Sequence, residues 1–396
     1  MSSSKTTVVH IAPTPFFADR GCHIRIRNEI ESLRYSPYRI ILCTYHHGSP
    51  VSGMDIRRIW PVLGYTKLTA GYSPFRFIAD LLLFFLVLKT VWQERPALLH
   101  GHLHEGALIG WAVSKCLFWR RLPVVMDMQG SLSGELAAYK AFGSLSFPLR
   151  LFKVIERLII RMPDCFLCSS RQSMSCLHEE FHVPAERIQL LEDMVPDSFF
   201  APATGSGQEE LIPTGKSVII YTGSLLPGKG VEHLLQAMQS LCAERDDLHF
   251  VLVGYPEEEA RHYAAAHNLA DRCLLPGQIR YADLVSWLAL GDIAVEPKAA
   301  EAGEASGKLL HYMAAGLPVV CFDTPNNRSM LGAAGCYAPS RDAQGLSAGI
   351  RASLADMDAA RRRGREGRKL VRERYSAAAV GRSLDRLYRR LACSCR

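Results

Sequence analysis

Residues 217–238 read SVIIYTGSLLPGKGVEHLLQAM. A β-branched run from Ser217 to Thr222 gives way to Gly223, Ser224, Pro227, Gly228, Lys229 and Gly230, and then to apolar residues at helical spacing. Strand, glycine-rich turn and helix, in that order, open a parallel sheet covered by helices. Downstream, the same alternation predicts strands at Leu248–Val253, Cys273–Leu275, Ile293–Val295 and Pro318–Phe322. Upstream it predicts a second domain of the same α/β kind. Its strands are Val8–Ala12, Arg39–Thr44, Leu98–His100, Val124–Met128, Cys165–Ser169 and Ile188–Leu191. Its helices include His23–Leu33, Phe75–Trp92, Gly106–Phe118 and Pro148–Ile160. Residues 202–217, PATGSGQEELIPTGKS, are too poor in apolar side chains to fold alone. The predicted plan is a doubly wound domain over residues 1–197, a linker over 198–216, a second doubly wound domain over 217–372, and a C-terminal helix over 373–396 packing back on the first.

A chain of 396 residues can bury two cores of this size. Its 48% apolar and 21% charged residues are ordinary for a globular protein. The net charge of +7 is scattered, without a basic stripe interleaved with aromatics, so nucleic acid is not an expected partner. The opening MSSSKTTVVHIAP has neither the apolar core nor the cleavage site of a secretory signal. This predicts a cytoplasmic protein, and the twelve cysteines then read as reduced, mostly buried thiols. Cys165 and Cys168 fall in the apolar run DCFLCSS, a structural setting rather than a redox motif. Leu81–Leu88, LLLFFLVL, is well short of the about 20 residues needed to span a bilayer. It reads first as a buried helix and second as one that touches a membrane surface, at the inner face of the cell membrane.

Three segments can carry chemistry. Strand Val8–Ala12 leads through PTPFFADRGCHIRIRNE into a helix, with Gly21 at its start. A helix start presents unpaired amides and a positive dipole end to phosphate or sugar oxygens. In the second domain, glycines around Lys229 let backbone approach a ligand closely while the lysine supplies charge for a diphosphate. The Walker spacing is absent, so an ATPase loop is not indicated. Residues 296–323, EPKAAEAGEASGKLLHYMAAGLPVVCFD, place Glu304, Ser306, Gly307 and Lys308 where a helix should begin and Leu309, Leu310 and Met313 on its core face. Neither half carries the dinucleotide glycine spacing, which argues against an oxidoreductase.

GSLLPGKGVEHLLQAM and SGKLLHYMAAGLPVV together resemble the two signature segments of the retaining GT-B glycosyltransferases of family 4, the group 1 glycosyl transferases. FVLVGYP and LLPGQIRYADLVSWLALGDIAVEP resemble the strands and base-contacting loop between them. The resemblance implies two Rossmann-like domains facing a central cleft, and transfer of a sugar from a nucleoside diphosphate sugar to an acceptor hydroxyl with retention of configuration. No metal or cofactor is expected. Gly223, Ser224 and Lys229 would meet the donor diphosphate, and residues near Gly254, Ile279 and Arg280 would flank the base. Glu304 would orient sugar hydroxyls, Ser306–Leu309 would offer backbone, and Gly21 would lie under the donor facing the acceptor.

The sequence departs from the family pattern in three places. Gly223-Ser224 stands where Gly-Arg is common, leaving Lys229 as the main cation. The family's paired glutamates are matched by Glu304, one residue late, and by His311, which is expected at the nucleotide end of the pocket. Gln129 occupies a place usually held by histidine, with Asp127 two residues before it. Asp127, Gln129, Lys229 and Glu304 are the catalytic candidates. His102 and His104, with His100 before them, are expected on the acceptor side. Their alternating spacing resembles metal ligands but lacks a carboxylate partner in the sequence, so no metal is expected. The acceptor reads as a saccharide or lipid-linked hydroxyl, as in synthesis of polysaccharide, lipopolysaccharide or glycolipid. The alternatives are a silent nucleotide-sugar-binding scaffold and a nucleotide-sugar epimerase on the same fold.

Overall fold

The structure, a computed structural model, describes residues 5–18, 21–66, 75–129, 146–201, 207–226, 228–298 and 306–393. The chain divides into two compact units. One holds Met1–Asp193 with Ala377–Arg396, and the other holds Met194–Ala302 with Ser306–Ser376.

The first unit is built on seven parallel strands in the order β3-β2-β1-β4-β5-β6-β7. They are β1 (Thr6–Ala12), β2 (Tyr38–Thr44), β3 (Asp55–Arg58), β4 (Leu98–His102), β5 (Val124–Met128), β6 (Cys165–Cys168) and β7 (Ile188–Leu190). Between them run α1 (Gly21–Ser32), α2 (Phe75–Glu94), α3 (Leu103–Cys116), α4 (Ser146–Ile160) and α5 (Arg171–Glu179). Strand alternation sorts the side chains of β1 and β4. Val9, Ile11 and Leu99 face a core shared with Ala79, Leu83, Val87 and Val91 of α2 and with Ile109 and Val113 of α3. His10 is the register partner of His100, and His102 of Asp127, so these polar residues are neighbours across adjoining strands.

The second unit has six parallel strands in the order β10-β9-β8-β11-β12-β13. They are β8 (Ser217–Thr222), β9 (Leu248–Val253), β10 (Cys273–Gly277), β11 (Ile293–Glu296), β12 (Val319–Phe322) and β13 (Gly335–Ala338). Its helices are α6 (Val231–Glu244), α7 (Glu258–Ala266), α8 (Leu284–Leu288), α9 (Gly307–Ala315), α10 (Pro325–Leu331), α11 (Ala343–Ala355) and α12 (Met357–Arg374). The last helix of the chain, α13 (Ala377–Cys393), belongs to the first unit. It packs on α1 so closely that a Cβ at Gly381 would lie 2.3 Å from the Ser32 carbonyl oxygen.

Three details differ from the sequence reading. Edge strands β3 and β13 were not anticipated, because DIRR and GCYA are short and lack a two-residue apolar alternation. The stretch read as linker is anchored at its start, where Phe199 is buried in the second unit. Helix α2 buries one face only, and its opposite stripe of Phe77, Ile78, Leu81, Phe85 and Trp92 is exposed. Cys165 and Cys168 are buried in β6, and burial pushes the Cys168 thiol up to about 12.

The contact between β4 and α3 gives a direct test of packing. A Cβ on Gly101 would lie 2.4 Å from the Gly106 carbonyl carbon and 2.5 Å from the Ala107 nitrogen. Gly101→Ala should therefore lower the free energy of unfolding by about 1–3 kcal/mol or more, measured by denaturant titration. An unchanged midpoint would show that α3 does not bear on the strand this closely.

Candidate active site

Parallel α/β sheets bind ligands outside the carboxyl ends of their strands, at the point where strand order reverses. In the second unit that point lies between β8, which continues to β9 and β10, and β11, which continues to β12 and β13. Gly223 after β8 takes φ of +132° and Gly230 φ of +81°, conformations suited to glycine. A Cβ on Gly254 would lie 1.7 Å from the Gly223 carbonyl oxygen, and one on Gly230 would lie 1.8 Å from that of Pro297. Loops leaving β8, β9 and β11 thus meet backbone to backbone. Lys229 lies on the first of these loops, half-buried, and its ammonium has no ion-pair partner among the described residues.

Strand β11 ends in a carboxylate with no exposed surface, Glu296. It accepts hydrogen bonds from the Ser306 hydroxyl and from the Lys298 amide, and Lys308 Nζ lies 3.4 Å away. Lys308 also donates to the Tyr221 hydroxyl at 3.1 Å and sits 4.3 Å from that ring's centroid. Burial disfavours the Lys308 ammonium, but the Glu296 carboxylate outweighs it and holds the lysine above its ordinary pKa. Lys308 is therefore charged and already neutralised. Beside it, Tyr312 is fully buried and its hydroxyl accepts from the Thr222 amide at 2.8 Å, tying α9 to the end of β8.

His311 lies in an aromatic niche. Its ring stacks on Phe199 with centroids 4.6 Å apart, and its Nε2 is 2.9 Å from the Tyr281 hydroxyl. Burial holds this imidazole down to about 4, so it is neutral near pH 7.

The first unit carries a different polar assembly at the carboxyl ends of β1, β4 and β5. Asp127 is fully buried, and its oxygens accept from Arg25 at 2.7 and 3.0 Å, from His102 Nδ1 at 3.1 Å and from Gln129 at 2.7 Å. Arg25 also reaches Asp193 and the Leu191 carbonyl. Because the carboxylate only accepts, His102 Nδ1 donates to it, and His102 Nε2 accepts from His10 Nδ1 at 2.9 Å. His10 Nε2 accepts from the Tyr388 hydroxyl at 3.0 Å, whose oxygen accepts from His100 Nδ1 at 2.6 Å. The chain runs in one direction and fastens α13 to the sheet.

Charge follows from these surroundings. Burial would raise Asp127, but Arg25 outweighs it and keeps the carboxylate well below its usual range. Burial, then the neighbouring histidines, lower His10, and burial, then His102, lower His100. Burial and then Asp127 raise Glu29, whose carboxyl lies 3.7 Å from His100 Nε2.

The other sequence-selected residues fall as follows. Gly21 is the exposed first residue of α1, and a Cβ there would meet nothing within 4 Å. His102 is wholly buried in the chain above, and His104 turns instead toward Glu156, at 3.4 Å. The structure brings His100 and His102 to Glu29, with ligand atoms within 4.8 Å of one another. Arg25 is 3.1 Å from that carboxylate and His10 already binds His102, so cationic and hydrogen-bonding partners occupy the place a metal would need. Ser224 accepts from Tyr221 through its carbonyl at 2.7 Å, and Arg280 forks onto Asp283 at 2.8 and 2.9 Å just after half-buried Ile279. Ser306 precedes α9 and Gly307 begins it, while the Leu309 amide donates to the Ser306 carbonyl and its side chain is core. Glu304 lies outside the described residues.

Two family models match most of the chain: glycosyl transferase 4-like domain over residues 20–192 and glycosyl transferases group 1 over residues 216–356. The chain belongs to the family 4 glycosyltransferases. This glycosyltransferase is 24% identical over 314 residues to alpha-D-kanosaminyltransferase of Streptomyces kanamyceticus, covering 76% of the chain and 80% of that enzyme. Over 183 residues, 46% of the chain and 48% of the relative, it is 30% identical to the phosphatidyl-myo-inositol mannosyltransferase of Mycobacterium leprae. Its fold is GT-B. Sucrose-phosphate synthase of Thermosynechococcus elongatus matches 98% of this chain and 100% of its own with TM-score 0.80 at 18% identity. Anabaena HepE, solved with UDP-glucose, matches 97% and 99% with TM-score 0.74 at 14% identity.

Several residues of the glycosyltransferase's polar assemblies were not singled out from sequence. Glu296 had a legible signal, a charge closing the apolar strand IAVE, and so did His10 inside VVHIA. Arg25, Glu29, Tyr388 and Phe199 had none, because only tertiary packing brings them in.

Two outcomes follow for the buried chain. Tyr388→Phe leaves His10 Nε2 and His100 Nδ1 without their shared partner and should cost about 1–3 kcal/mol in denaturant titration; a neutral effect would show that the hydroxyl does not hold α13. Acidification acts through groups with depressed folded values. His10, His100 and His311 take up protons in the unfolded chain below about pH 6.5 but not in the folded one, so folding weakens as pH falls. Glu29, raised in the fold, acts oppositely. His46 and His249, lowered by burial, join the first set, and Asp80, raised to about 6 by burial, joins Glu29. With five groups against two, stability should fall by about 1–3 kcal/mol from about pH 7 to 5.5. A flat profile would contradict the neutral-histidine assignment.

Proposed function

We propose that this glycosyltransferase moves a sugar from a nucleoside diphosphate sugar to a hydroxyl of a saccharide or lipid-linked acceptor, with retention of configuration and without a metal ion. The observation that carries the reading is the division of labour between two lysines at the strand-order reversal. Lys308 is neutralised by Glu296, whereas Lys229 stands on a glycine-rich loop with no ion-pair partner among the described residues. A diphosphate supplies the missing anion. HepE, solved with UDP and with UDP-glucose, supports a donor of this kind by analogy.

In this reading, charge developing on the leaving diphosphate is met by Lys229 and by backbone near Gly223 and Gly307, fixed before the reaction begins. Glu304 orients the sugar's hydroxyls, and Ser306 and Lys308 are positioned by Glu296. His311, neutral and set between Phe199 and Tyr281, takes the ribose end of the donor. The leaving phosphate oxygen accepts the acceptor's proton on the same face, so the reaction needs no strong protein base. Gln129 can then stand where a histidine is common. Asp127, fully buried and saturated by Arg25, His102 and Gln129, serves as a positioning residue, as do His102 and His104. We place this activity in the cytoplasm, in synthesis of polysaccharide, lipopolysaccharide or glycolipid.

A panel of nucleotide sugars with saccharide and lipid-linked acceptors, followed by NMR of the new anomeric centre, tests the proposal. Product with the donor's own anomeric configuration is expected, and Lys229→Ala should lower its rate about a hundredfold or more. Inverted product refutes retention. Donor isomerised without acceptor shows an epimerase, binding without turnover shows a scaffold, and unimpaired transfer by Lys229→Ala removes that residue from the site.

A further inference from the structure

Helix α2 is apolar on both faces. Ala79, Leu83, Val87 and Val91 fill the core, while Phe77 (70% exposed), Leu81 (58%), Phe85 (56%) and Trp92 (67%) recur at helical spacing on the opposite side. The exposed stripe continues beyond both helix ends. At the start, the loop carrying Trp60 and Leu63 leads to Tyr65, whose ring stacks on Phe75. At the end, Arg120 donates to the Val91 carbonyl at 3.3 Å, and Phe118 and Trp119 before it are exposed, as is Trp92. No helix among the described residues is long and apolar enough to cross a membrane. A helix of this composition, with one face already in a core, would meet a bilayer in the plane of its interface.

Apart from Asp164, the charges near this stripe that lack an ion-pair partner among the described residues are positive. Residues 75–121 hold three carboxylates, Asp80, Glu94 and Glu105. Asp80 accepts from Tyr45, Glu94 is paired with Arg39 and Arg57, and Glu105 with Arg76. Lys89, Arg95, Lys115 and Arg121 have no ion-pair partner among the described residues. Lys115, Arg120 and Arg121 line a cavity of about 470 Å³ with Trp111 and Phe118, where the Asp164 carboxylate is held by the Val124 amide at 2.7 Å.

We propose that this face of the first unit docks on an anionic lipid bilayer, with the α2 stripe in the acyl boundary, the tryptophans at headgroup level and the four lysine and arginine side chains on lipid phosphates. Aromatic side chains with an apolar body and a polar edge, flanked by cations, match that boundary. A second copy of the chain is a poor occupant, because a two-fold contact would set unpaired cations against their own equivalents. The face lies within one unit and owes nothing to the donor assignment, so its test and that of glycosyl transfer fail independently.

The experiment is co-sedimentation of the full chain with phosphatidylcholine vesicles and with vesicles of phosphatidylcholine and phosphatidylglycerol. Binding to the anionic vesicles is expected, weaker with phosphatidylcholine alone and reduced by added salt. Leu81→Glu with Phe85→Glu, both at exposed positions, should weaken it about tenfold or more with an unchanged melting temperature. Lys89→Glu with Arg121→Glu should weaken it through charge alone, an independent check should the first pair disturb folding. No binding of the unaltered chain to anionic vesicles, or binding insensitive to both pairs, would overturn the proposal. So would a dimer in light scattering that the first pair converts to monomer.

Discussion

The buried pair of Glu296 and Lys308 governs the second unit. A carboxylate without solvent at the end of a central strand is costly unless a cation and hydrogen-bond donors satisfy it. Glu296 meets that requirement with Lys308, Ser306 and the Lys298 amide, all from the segment that follows β11. The same contacts draw α9 toward the strand ends, where Tyr312 binds the Thr222 amide and Lys308 reaches Tyr221 on β8. With that charge cancelled internally, Lys229 remains as the cation of the glycine-rich loop. The proposed diphosphate site lies where this neutralisation stops.

The first unit obeys the same constraint with different parts. Arg25 neutralises Asp127, and His10 and His100 stay neutral because burial and the neighbouring histidines disfavour their charge. Neutral imidazoles with one donor and one acceptor each can only be joined in series, and Tyr388 closes the gap between His10 and His100. A residue near the end of the chain is thereby fixed to the strands of its first hundred residues. This assembly joins His100 and His102 of HGHLH to His10, Tyr388 and Asp127 through hydrogen bonds.

Much of this architecture was legible in the sequence. Central strands such as Ser217–Thr222 and Leu248–Val253 are buried on both faces and read as unbroken apolar runs, so their limits coincide with those observed. The edge strands β3 and β13 carry no such pattern. The glycine positions at Gly223 and Gly254 were legible because close backbone approach leaves few alternatives to glycine. The roles of Asp127 and Phe199 were not. A carboxylate at a strand end looks alike whether it faces a substrate or an arginine, and Phe199 lies in a stretch whose composition is that of a linker. Only tertiary contacts distinguish these cases.

The proposed donor site rests on Lys229, a positive charge that no described residue compensates. Calorimetric titration with UDP, GDP and ADP, each compared with its nucleoside, measures that charge directly. At least one diphosphate should bind about tenfold or more tightly than its nucleoside, and Lys229→Met should remove most of that difference while leaving nucleoside binding intact. Equal affinities for diphosphate and nucleoside, or a difference that survives Lys229→Met, would contradict the account.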